Sequence, residues 1–493
     1  MNHYTNIFYN YEFMLVSELD EDGNKIFYKK EYTPSVFLPA NTTTNYKSID
    51  GRCLSEMTFG SYKDYKDFIE TYADVPNFDI HGDIQSEYKF INKTYGTNNS
   101  YNISNIDIMY IDIETSSENG WPVIEDPQEE IIAITVFSTK HGKATFCLGT
   151  FTTTDDIKVF EYTEEKVLLK EFLEYFAKNY PDVVSGWNVR FFDFPYLIKR
   201  VKRVLGNKAA KMLSPWGILK EKFITRRGRE DLMFDIVGIA MLDYLEVYKT
   251  FTYTNRESYR LDHIAYVELG QRKLSYDEHA SMSDFYKKDF QKFIQYNIRD
   301  VELVHKLEEK LKLIELSISL AYSAGVNFQD VFSQVRTWDV IIYNYLSNNN
   351  IIIPPKKKKK KNEQYAGAYV KEPLTGAHSW IVSFDINSMY PMLMSQINIS
   401  PETITADGVR GVFSPQDILC GDAVAAKTLE DNKKKNLSTA ANGTTYRRDI
   451  RGFLPELMDK MYKDRKHFKN KMIESKKLLE DIDAELSTRD LTS

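Results

Sequence analysis

The chain has 493 residues, of which 42% are hydrophobic and 14% aromatic, and its formal net charge is −7. At about 100–200 residues per domain, this length predicts roughly three or four domains. The negative net charge excludes a globally basic nucleic-acid binder, so nucleic-acid binding would depend on local basic patches. The three cysteines are far apart and form no CxxC pair, which argues against a disulfide framework or a cysteine zinc site and suits a reducing compartment. No apolar run approaches the ~18 residues of a membrane span and no secretory signal is visible, so we expect no membrane association.

Short strands are predicted at the N-terminus, over residues 8–16 and 26–36, followed by a polar connector over 87–104. Further along, strands alternate with amphipathic helices, which is typical of an α/β domain. The strands predicted there are 106–114, 131–138, 145–148 and 183–187, and the helices are 164–179 and 196–205.

Helical spacing returns over residues 283–324, with Ser283 as the predicted N-cap. A break over 348–361 contains Pro-Pro and a run of lysines, and predicts a linker. A new strand is predicted over 381–385 and a long helix over 454–486, basic at its start and acidic at its end.

Two carboxylates lie two residues apart at the end of the predicted strand 106–114. Strand alternation puts Asp112 and Glu114 on the same face, where they repel each other unless a cation neutralises them. Ligands that are all oxygen suit Mg²⁺ or Mn²⁺. The alternative is a solvated strand edge, which the apolar character of this strand makes less favourable.

Two later acidic residues have similar surroundings. Asp193 lies among aromatic residues, where an unpaired carboxylate is costly and a partner cation is expected; alternatively, it caps the helix that begins near Pro195. Tyr296 and Asp300 are i and i+4 on a predicted helix and share a face; the alternative is an ordinary surface aspartate beside Arg299.

In chain order, the D-x-E pair, the N-x-x-x-F-D sequence of residues 188–193 and the Y-x-x-x-D sequence of 296–300 resemble the three motifs of the DnaQ-like, RNase H-fold 3′→5′ exonucleases. The resemblance implies two divalent ions, Mg²⁺ or Mn²⁺, which activate a water and stabilise the leaving oxygen. The implied metal ligands are Asp112, Glu114, Asp193 and Asp300, and Tyr296 would orient the attacking water.

Residues 383–391 (SFDINSMYP) resemble motif A of the family B DNA polymerases, D-x-x-S-L-Y-P-S, with Met389 and Met392 as departures. By itself this sequence also fits a strand followed by an Asx-type turn. The resemblance implies a second metal site and a site for the incoming dNTP. The residues implied there are Asp385 and the backbone carbonyl of Ile386 for the metal, and Ser388, Met389 and Tyr390 for the nucleotide.

Residues 331–339, 365–373 and 398–404 are similar to the T4-like phage members of that family. The run RKHFK over 465–469 aligns with the family's basic fingers helix, which implies that Arg465 and Lys469, one turn apart, hold the triphosphate. Taken alone, the run would be a solvated basic face. The implied DNA contacts are Asn188, Phe192, Arg226, Arg227, Tyr365 and Gly367.

Several other DNA contacts are left open by the residues. The stretch 196–211 and the predicted hairpin 224–230 are locally basic and could contact phosphates. The aromatic residues Phe191, Phe194 and Tyr196 suit either base stacking or the core of an α/β domain. The lysine run 356–361 could contact DNA, although a solvated linker is favoured.

The implied fold is a multidomain α/β protein. An N-terminal α+β domain would comprise residues 1–105, with 313–352 returning to it, and an RNase H-like 3′→5′ exonuclease domain would comprise 106–312. A lysine-rich linker (353–362), a partial palm (363–450) and an incomplete first fingers helix (451–493) would follow. The family's K-x-x-x-N-S-x-Y-G and D-T-D-S motifs, its thumb and its clamp-binding peptide are absent.

These resemblances predict the N-terminal part of a replicative DNA-directed DNA polymerase with 3′→5′ exodeoxyribonuclease activity, acting in the host cytoplasm. Its implied partners are primer-template and single-stranded DNA, a complementary polymerase chain needed for nucleotide addition, and a sliding clamp contacted through the missing part. One alternative is a stand-alone 3′→5′ exonuclease with a remnant palm. Another is a non-catalytic DNA- or RNA-binding translational repressor, against which the four carboxylates argue.

Overall fold

A computed structural model describes residues 2–96, 101–118, 120–226, 228–355, 372–405, 417 and 420–490. The chain divides into two compact units, a larger one of Met1–Ser48 and Cys53–Lys356 and a smaller one of Ile49–Arg52 and Lys357–Ser493. Across these described ranges, no helix combines the length and the apolar character that a membrane crossing requires.

The larger unit begins with an antiparallel sheet of β1 (His3–Tyr9), β2 (Phe13–Leu19) and β3 (Lys25–Glu31). The predicted strand over 8–16 is wrong, because the chain reverses between β1 and β2. The side chain of Asn10 accepts hydrogen bonds from the backbone N–H groups of Glu12 and Phe13, and Tyr11 between them has φ 77°. The predicted strand over 26–36 is likewise interrupted, because Pro34 has no backbone N–H to continue the ladder.

A second sheet contains β4 (Ser35–Pro39), β5 (Tyr46–Ser48), β6 (Cys53–Thr58) and β15 (Ile351–Ile352), in the order β15-β5-β6-β4. The expected break at 348–361 therefore contributes two residues to a sheet. Helices α1 (Tyr62–Tyr72) and α2 (Ser86–Tyr95) follow β6. The polar connector predicted over 87–104 is wrong at its start, because Tyr88, Phe90 and Ile91 are buried in α2.

The central sheet has six strands in the order β10-β9-β8-β7-β11-β14. Its strands are β7 (Ile108–Thr115), β8 (Ile131–Ser138), β9 (Gly142–Leu148), β10 (Ile157–Tyr162), β11 (Val183–Ser185) and β14 (Ala240–Met241), and a hairpin of β12 (Leu219–Arg226) and β13 (Arg229–Ile236) forms a separate two-stranded sheet. Strand β7 pairs antiparallel with β8 and parallel with β11. The strands predicted from residues 106 and 131 are confirmed.

Nine helices follow in the larger unit between residues 165 and 348 of the described chain: α3 (Glu165–Lys178), α4 (Asp193–Val204), α5 (Asn207–Ala210), α6 (Tyr244–Phe251), α7 (Leu261–Leu269), α8 (Met282–Lys288), α9 (Phe290–Leu311), α10 (Leu313–Ala324) and α11 (Gln334–Asn348). Helices α3 and α4 bury Leu169, Phe172 and Ile198 in a core shared with the central sheet. The predicted cap Ser283 is wrong, because the Oγ of Ser281 accepts the hydrogen bond from the N–H of Asp284.

The smaller unit contains α12 (Met389–Ile397), α13 (Ala423–Lys434), α14 (Phe453–Asp490) and the hairpin β16 (Leu437–Thr439)–β17 (Thr445–Arg447). The long C-terminal helix is confirmed. The strand predicted over 381–385 is wrong: these residues form no strand, and Ile381, Val382 and Phe384 are 75%, 71% and 92% exposed. A strand depends on hydrogen bonds to a neighbouring strand, and within the described ranges none pairs with this segment.

Candidate active site

Three carboxylates meet in the larger unit. One oxygen from each of Asp112, Glu114 and Asp300 lies within 4.8 Å of the other two. Among the described residues, these three side chains form the one group of Asp, Glu, His or Cys residues whose ligand atoms lie close enough together to share a metal ion. Asp193 adjoins it, since its Oδ1 accepts a hydrogen bond of 3.1 Å from the backbone N–H of Ile113, between the two β7 carboxylates.

Strand β7 presents Asp112 and Glu114 on one face, as strand alternation predicts. The pairing of β7 with β8 shifts by one residue between Glu114 and Thr115, and such bulges redirect side chains beside active sites. At the end of β11, a Cβ on Gly186 would lie 2.4 Å from the carbonyl oxygen of Ile111. Only glycine therefore allows this close approach, after which the chain turns and α4 brings Asp193 to β7.

Helix α9 supplies the remaining groups from about one turn. Asp300 is 4% exposed and forms an ion pair with Lys273, whose ammonium also lies 4.6 Å from the centre of the Tyr296 ring. Asn297 is fully buried and its Nδ2 donates a 2.6 Å hydrogen bond to Oδ2 of Asp112. Within the described chain, the second oxygen of Asp300, Oδ1, is buried without a hydrogen-bond partner.

Burial and mutual repulsion raise the pKa of all four carboxyl groups. Loss of solvent, followed by the charge of Asp300, raises the pKa of Glu114 to about 8. Burial raises the pKa of Asp193 to about 7 and that of Asp300 to about 6, and burial with the three neighbouring carboxylates raises the pKa of Asp112 well above its ordinary range. The cluster therefore cannot ionise fully at neutral pH unless a cation joins it.

Lys273 supplies one built-in positive charge. Burial lowers its pKa, but the charges of Asp300, Tyr296 and Asp112 outweigh burial, so the pKa lies above the usual lysine range. One ammonium cannot balance four carboxylates, and the cluster remains negative when ionised. This arrangement favours a divalent cation with oxygen ligands.

Lys273, Asn297 and Asp243 were not predicted from the sequence. Asn297 lies inside the Y-x-x-x-D sequence, so its position on the helix, next to Tyr296, could have marked it as a residue of the site. Asp243 caps α6 and accepts hydrogen bonds from the backbone N–H groups of Asn188 and Arg190. Lys273 lies in a segment without helix or strand, and no periodicity marks it.

The predicted DNA-contacting residues have different positions. Asn188 has φ 69°, and the half-buried ring of Phe192 stacks on Tyr196 with 5.9 Å between centroids. Phe194 and Tyr196 are fully buried, so base stacking by these two rings is wrong; the α4 core encloses them. The predicted contacts Arg227, Tyr365 and Gly367 lie outside the described residues, as does the lysine run 356–361. For Arg226, only the backbone is described.

Three cations of the basic stretch 196–211, which could contact phosphates according to the sequence, form ion pairs in the structure. Arg200 forms a buried two-point ion pair with Glu165 at 2.7 and 2.8 Å. Lys199 is paired with Glu221, and Arg203 is paired with Asp126 in the loop between β7 and β8. The buried Arg200 is therefore a structural residue and not a phosphate contact, whereas a phosphate-binding role for the more exposed Lys199 and Arg203 stays a prediction.

The predicted polymerase residues lie in the smaller unit. Asp385 and Ile386 are exposed in a segment without regular structure, and Asp385 belongs to no carboxylate cluster of the described chain. Ser388 precedes α12 with φ 50°, and Met389 and Tyr390 begin that helix. Arg465 and Lys469 are exposed on the same face of α14.

Comparison with known proteins gives two matching family models. The model of the exonuclease domain of DNA polymerase family B matches residues 59–264, and that of DNA polymerase family B matches residues 330–483. The chain is 30% identical over 484 residues to the DNA-directed DNA polymerase of Escherichia phage RB69, which is 92% of this chain and 52% of the relative. For the DNA-directed DNA polymerase of Enterobacteria phage T4, it is 30% identical over 481 residues, with the same coverage, 92% and 52%.

A more distant relative is the DNA polymerase delta catalytic subunit of Caenorhabditis elegans, 26% identical over 401 residues that make up 75% of this chain and 34% of the relative. The chain spans about half the length of the phage polymerases that it matches.

Proposed function

This chain belongs to the family B DNA polymerases, and we propose that it carries the proofreading 3′→5′ exonuclease of a replicative DNA-directed DNA polymerase. The observation that carries the proposal is the group formed by Asp112, Glu114 and Asp300, with Asp193 hydrogen-bonded beside it. The reaction would be hydrolysis of the 3′-terminal phosphodiester of DNA with two divalent ions.

We assign residues 106–312 to an RNase H-like exonuclease domain. The order of the central sheet supports this assignment, since an antiparallel run of β9, β8 and β7 is continued by the parallel strand β11. Residues 1–105 and 313–352 would form the N-terminal domain. Hydrogen bonds between the two segments support it, from the N–H of Ile7 to Asn327 at 2.8 Å and between Asn92 and Asn344 at 2.9 Å.

The carboxylates fit Mg²⁺ or Mn²⁺. All ligand atoms are oxygens, and a bound cation would lower the raised pKa values of the carboxyl groups by neutralising their charge. In addition, Oδ1 of Asp300 has no hydrogen-bond partner among the described residues. The residues that would hold the two ions are Asp112, Glu114, Asp193 and Asp300. When bound, the ions would supply positive charge that activates a water and stabilises the leaving oxygen.

The chain's own residues would orient these ligands. Asn297 fixes the carboxylate plane of Asp112, and the backbone N–H of Ile113 fixes Asp193. Lys273 holds Asp300 and packs on the ring of Tyr296, so that the phenol would orient the attacking water. These contacts reduce the freedom of the ligands before substrate binds.

Two of the DNA contacts proposed from the sequence, Asn188 and Phe192, lie within five residues of Asp193 in the chain. They would contact the 3′-terminal nucleotides of single-stranded or primer-template DNA. The half-buried ring of Phe192 is the one from this segment that we assign to the DNA, since Phe194 and Tyr196 belong to the core.

We further propose that the smaller unit supplies one half of a nucleotide-addition site. Asp385 and the carbonyl of Ile386 would bind a metal ion. The dNTP would contact the turn before α12, from Ser388 to Tyr390, and the phosphate-binding pair Arg465 and Lys469. Two-metal catalysis needs further carboxylates, which a complementary polymerase chain would bring together with the sliding-clamp contact, in the cytoplasm of the host.

The test uses the purified chain, a 5′-labelled single-stranded DNA and Mg²⁺. Stepwise shortening from the 3′ end is expected, with loss of shortening in the double variant Asp112→Ala, Asp300→Ala. A wild-type chain that leaves the DNA intact at every Mg²⁺ and Mn²⁺ concentration would contradict the exonuclease. Primer extension is expected only when a complementary chain is added; extension without it would contradict the proposed division of the polymerase site.

A further inference from the structure

The segment that joins β11 to α4, residues 186–192, leads directly into the carboxylate Asp193, and we call it the β11–α4 turn. Its backbone departs from the usual conformations, since Gly186 has φ 156° and Asn188 has φ 69°. A positive φ is uncommon for a residue with a side chain, and such a conformation persists only where surrounding contacts hold it. The contacts that hold this turn therefore also determine where Asp193 lies.

The carboxylate of Asp243 is fully buried and accepts two hydrogen bonds from the turn. Its Oδ1 accepts from the backbone N–H of Asn188 at 3.2 Å, and its Oδ2 accepts from the N–H of Arg190 at 3.0 Å. The next residue, Tyr244, donates its N–H to the carbonyl of Gly186 at 2.9 Å. The start of α6 is therefore joined to the turn at three points, two residues apart.

Capping of α6 explains only one oxygen of Asp243. Oδ1 accepts from the N–H groups of Leu245 at 2.9 Å and Glu246 at 3.4 Å, as an N-cap does. Serine, threonine or asparagine would serve as a cap as well. The bond from Oδ2 to Arg190 is different, because an amide there would place an N–H donor against another N–H donor. The contact with the turn, and not the cap, requires a carboxylate.

This carboxylate is mainly ionised at neutral pH. Burial raises the pKa of Asp243 to about 6, and the hydrogen bond from Arg190 is the largest influence that lowers it. Hydrogen bonds to an ionised acceptor are roughly twice as strong as those between neutral groups. Asp243 can therefore hold a backbone conformation that the turn would not favour by itself.

The turn passes this constraint to Asp193. The N–H of Phe194 donates to the carbonyl of Val189 at 3.0 Å, which ties the first turn of α4 to the residue beside Arg190. On its other side, Asp193 accepts the 3.1 Å hydrogen bond from the N–H of Ile113 on β7. A shift of the turn at Arg190 would thus move Asp193 relative to the carboxylates of β7.

We propose that Asp243 is a positioning residue of the exonuclease site, which holds the β11–α4 turn so that Asp193 meets the carboxylates of β7. The inference rests on the proposed function. Asp243 would act through the backbone of Asn188 and Arg190, without contact with the ions or the DNA.

The experiment measures Mn²⁺ binding to the full chain without DNA, from the electron paramagnetic resonance signal of the free ion. Binding at the site is the part that is lost in the double variant Asp112→Ala, Asp300→Ala. Asp243→Asn is isosteric and keeps Oδ1, so it keeps the cap and the bond to Asn188 but loses the bond to Arg190. Asp243→Ser is shorter and keeps only the cap. Both variants remove the same charge.

The affinity for Mn²⁺ should fall about tenfold in Asp243→Asn and further, towards a hundredfold, in Asp243→Ser, the range found when a group that orients a metal ligand is removed. Both variants should still unfold cooperatively in urea with EDTA, because the cap is kept. The matched controls are Asp422→Asn and Asp422→Ser. Asp422 caps α13 through the N–H groups of Val424 and Ala425, both at 2.9 Å, so these controls should leave Mn²⁺ binding unchanged.

The outcomes separate position from charge and from capping. A graded loss, larger in the serine than in the asparagine variant, supports the proposal. An equal loss in both variants would assign the effect to charge, and no loss in either would reduce Asp243 to a cap; each result overturns the proposal. Unchanged Mn²⁺ binding in a wild-type background that still shortens DNA leaves the exonuclease standing. A wild type that neither binds Mn²⁺ at this site nor shortens DNA contradicts the exonuclease itself.

Discussion

Replacing Glu114 by glutamine should stabilise the metal-free protein at alkaline pH while abolishing DNA excision. The pKa of Glu114 is raised by burial and by Asp300 to about 8. A carboxyl group whose pKa is higher in the folded than in the unfolded chain stabilises the fold fully below the unfolded pKa, and this contribution is lost as the pH rises through the folded pKa. The metal-free protein should therefore lose stability as the pH rises from about 5 to about 9.

The size of the effect follows from the same values. An unfolded carboxyl of ~4.5 and a folded pKa of about 8 differ by ~3.5 units, and at 1.36 kcal/mol per unit this gives an upper bound of about 5 kcal/mol. Glu114 retains some solvent contact and Lys273 offsets part of the repulsion, so about half of that bound is expected. Glutamine carries no charge and removes this penalty.

The assay is thermal or urea unfolding in EDTA across this pH range, followed by addition of Mg²⁺. The wild type should recover stability with Mg²⁺ because ligand binding to the folded state adds to its stability, whereas Glu114→Gln should recover less. Glu257→Gln, at an exposed position in the loop before α7, is the matched control. Equal pH profiles for all three proteins would refute the reasoning.

Two further substitutions probe contacts of the carboxylate cluster, and a third probes the buried ion pair between α3 and α4. Asn297→Ala removes the hydrogen bond to Asp112, worth about 1.5–3 kcal/mol to a charged group, and should raise the Mg²⁺ concentration for half-maximal excision roughly 10- to 100-fold; an unchanged Mg²⁺ titration would contradict a positioning role. Lys273→Met removes the charge that lowers the pKa of Asp300, so the acidic limb of the pH–rate profile should move to higher pH, and Lys273→Arg should move it back. Arg200→Met leaves a buried carboxylate unpaired and should cost about 3–5 kcal/mol of unfolding free energy, measured by urea denaturation; a loss no larger than that of an exposed arginine would contradict the buried pair.

The D-x-E and Y-x-x-x-D pairs of the proposed exonuclease site could be predicted because their relations are local, whereas the grouping of Asp112, Glu114, Asp193 and Asp300 in one site was implied by the family resemblance. Two residues on a strand, or four on a helix, share a face whatever the rest of the fold does. Lys273 could not be predicted this way, because its contact with Asp300 spans 27 positions and is made by a segment without regular structure. Long-range packing, which no periodicity reports, brings this ammonium to the cluster.

The fold was predicted correctly where an apolar segment was compatible with one structure, and incorrectly where it was compatible with two. The strands beginning near residues 106 and 131 lie in the central sheet, and their patterns were correct. Phe194 and Tyr196 suited both base stacking and a core, and the packing of α4 against the central sheet placed both rings in the core. The apolar segment 381–385 suited a strand, but a strand also needs hydrogen-bonded neighbours, which its own residues do not specify.

The two proposed metal sites differ in how their carboxylates are held. This difference explains why we expect exonuclease activity from this chain alone but nucleotide addition only with a complementary chain. In the larger unit, Asp112, Asp193 and Asp300 are each held by a hydrogen bond or an ion pair. The repulsion between these carboxylates favours the binding of a cation. Asp385 is exposed and belongs to no cluster of three or more potential metal ligands within the described ranges. Because two-metal catalysis requires several ligands to converge, we expect the larger unit to bind its ions without help, and we propose that nucleotide addition depends on ligands supplied by other polymerase segments.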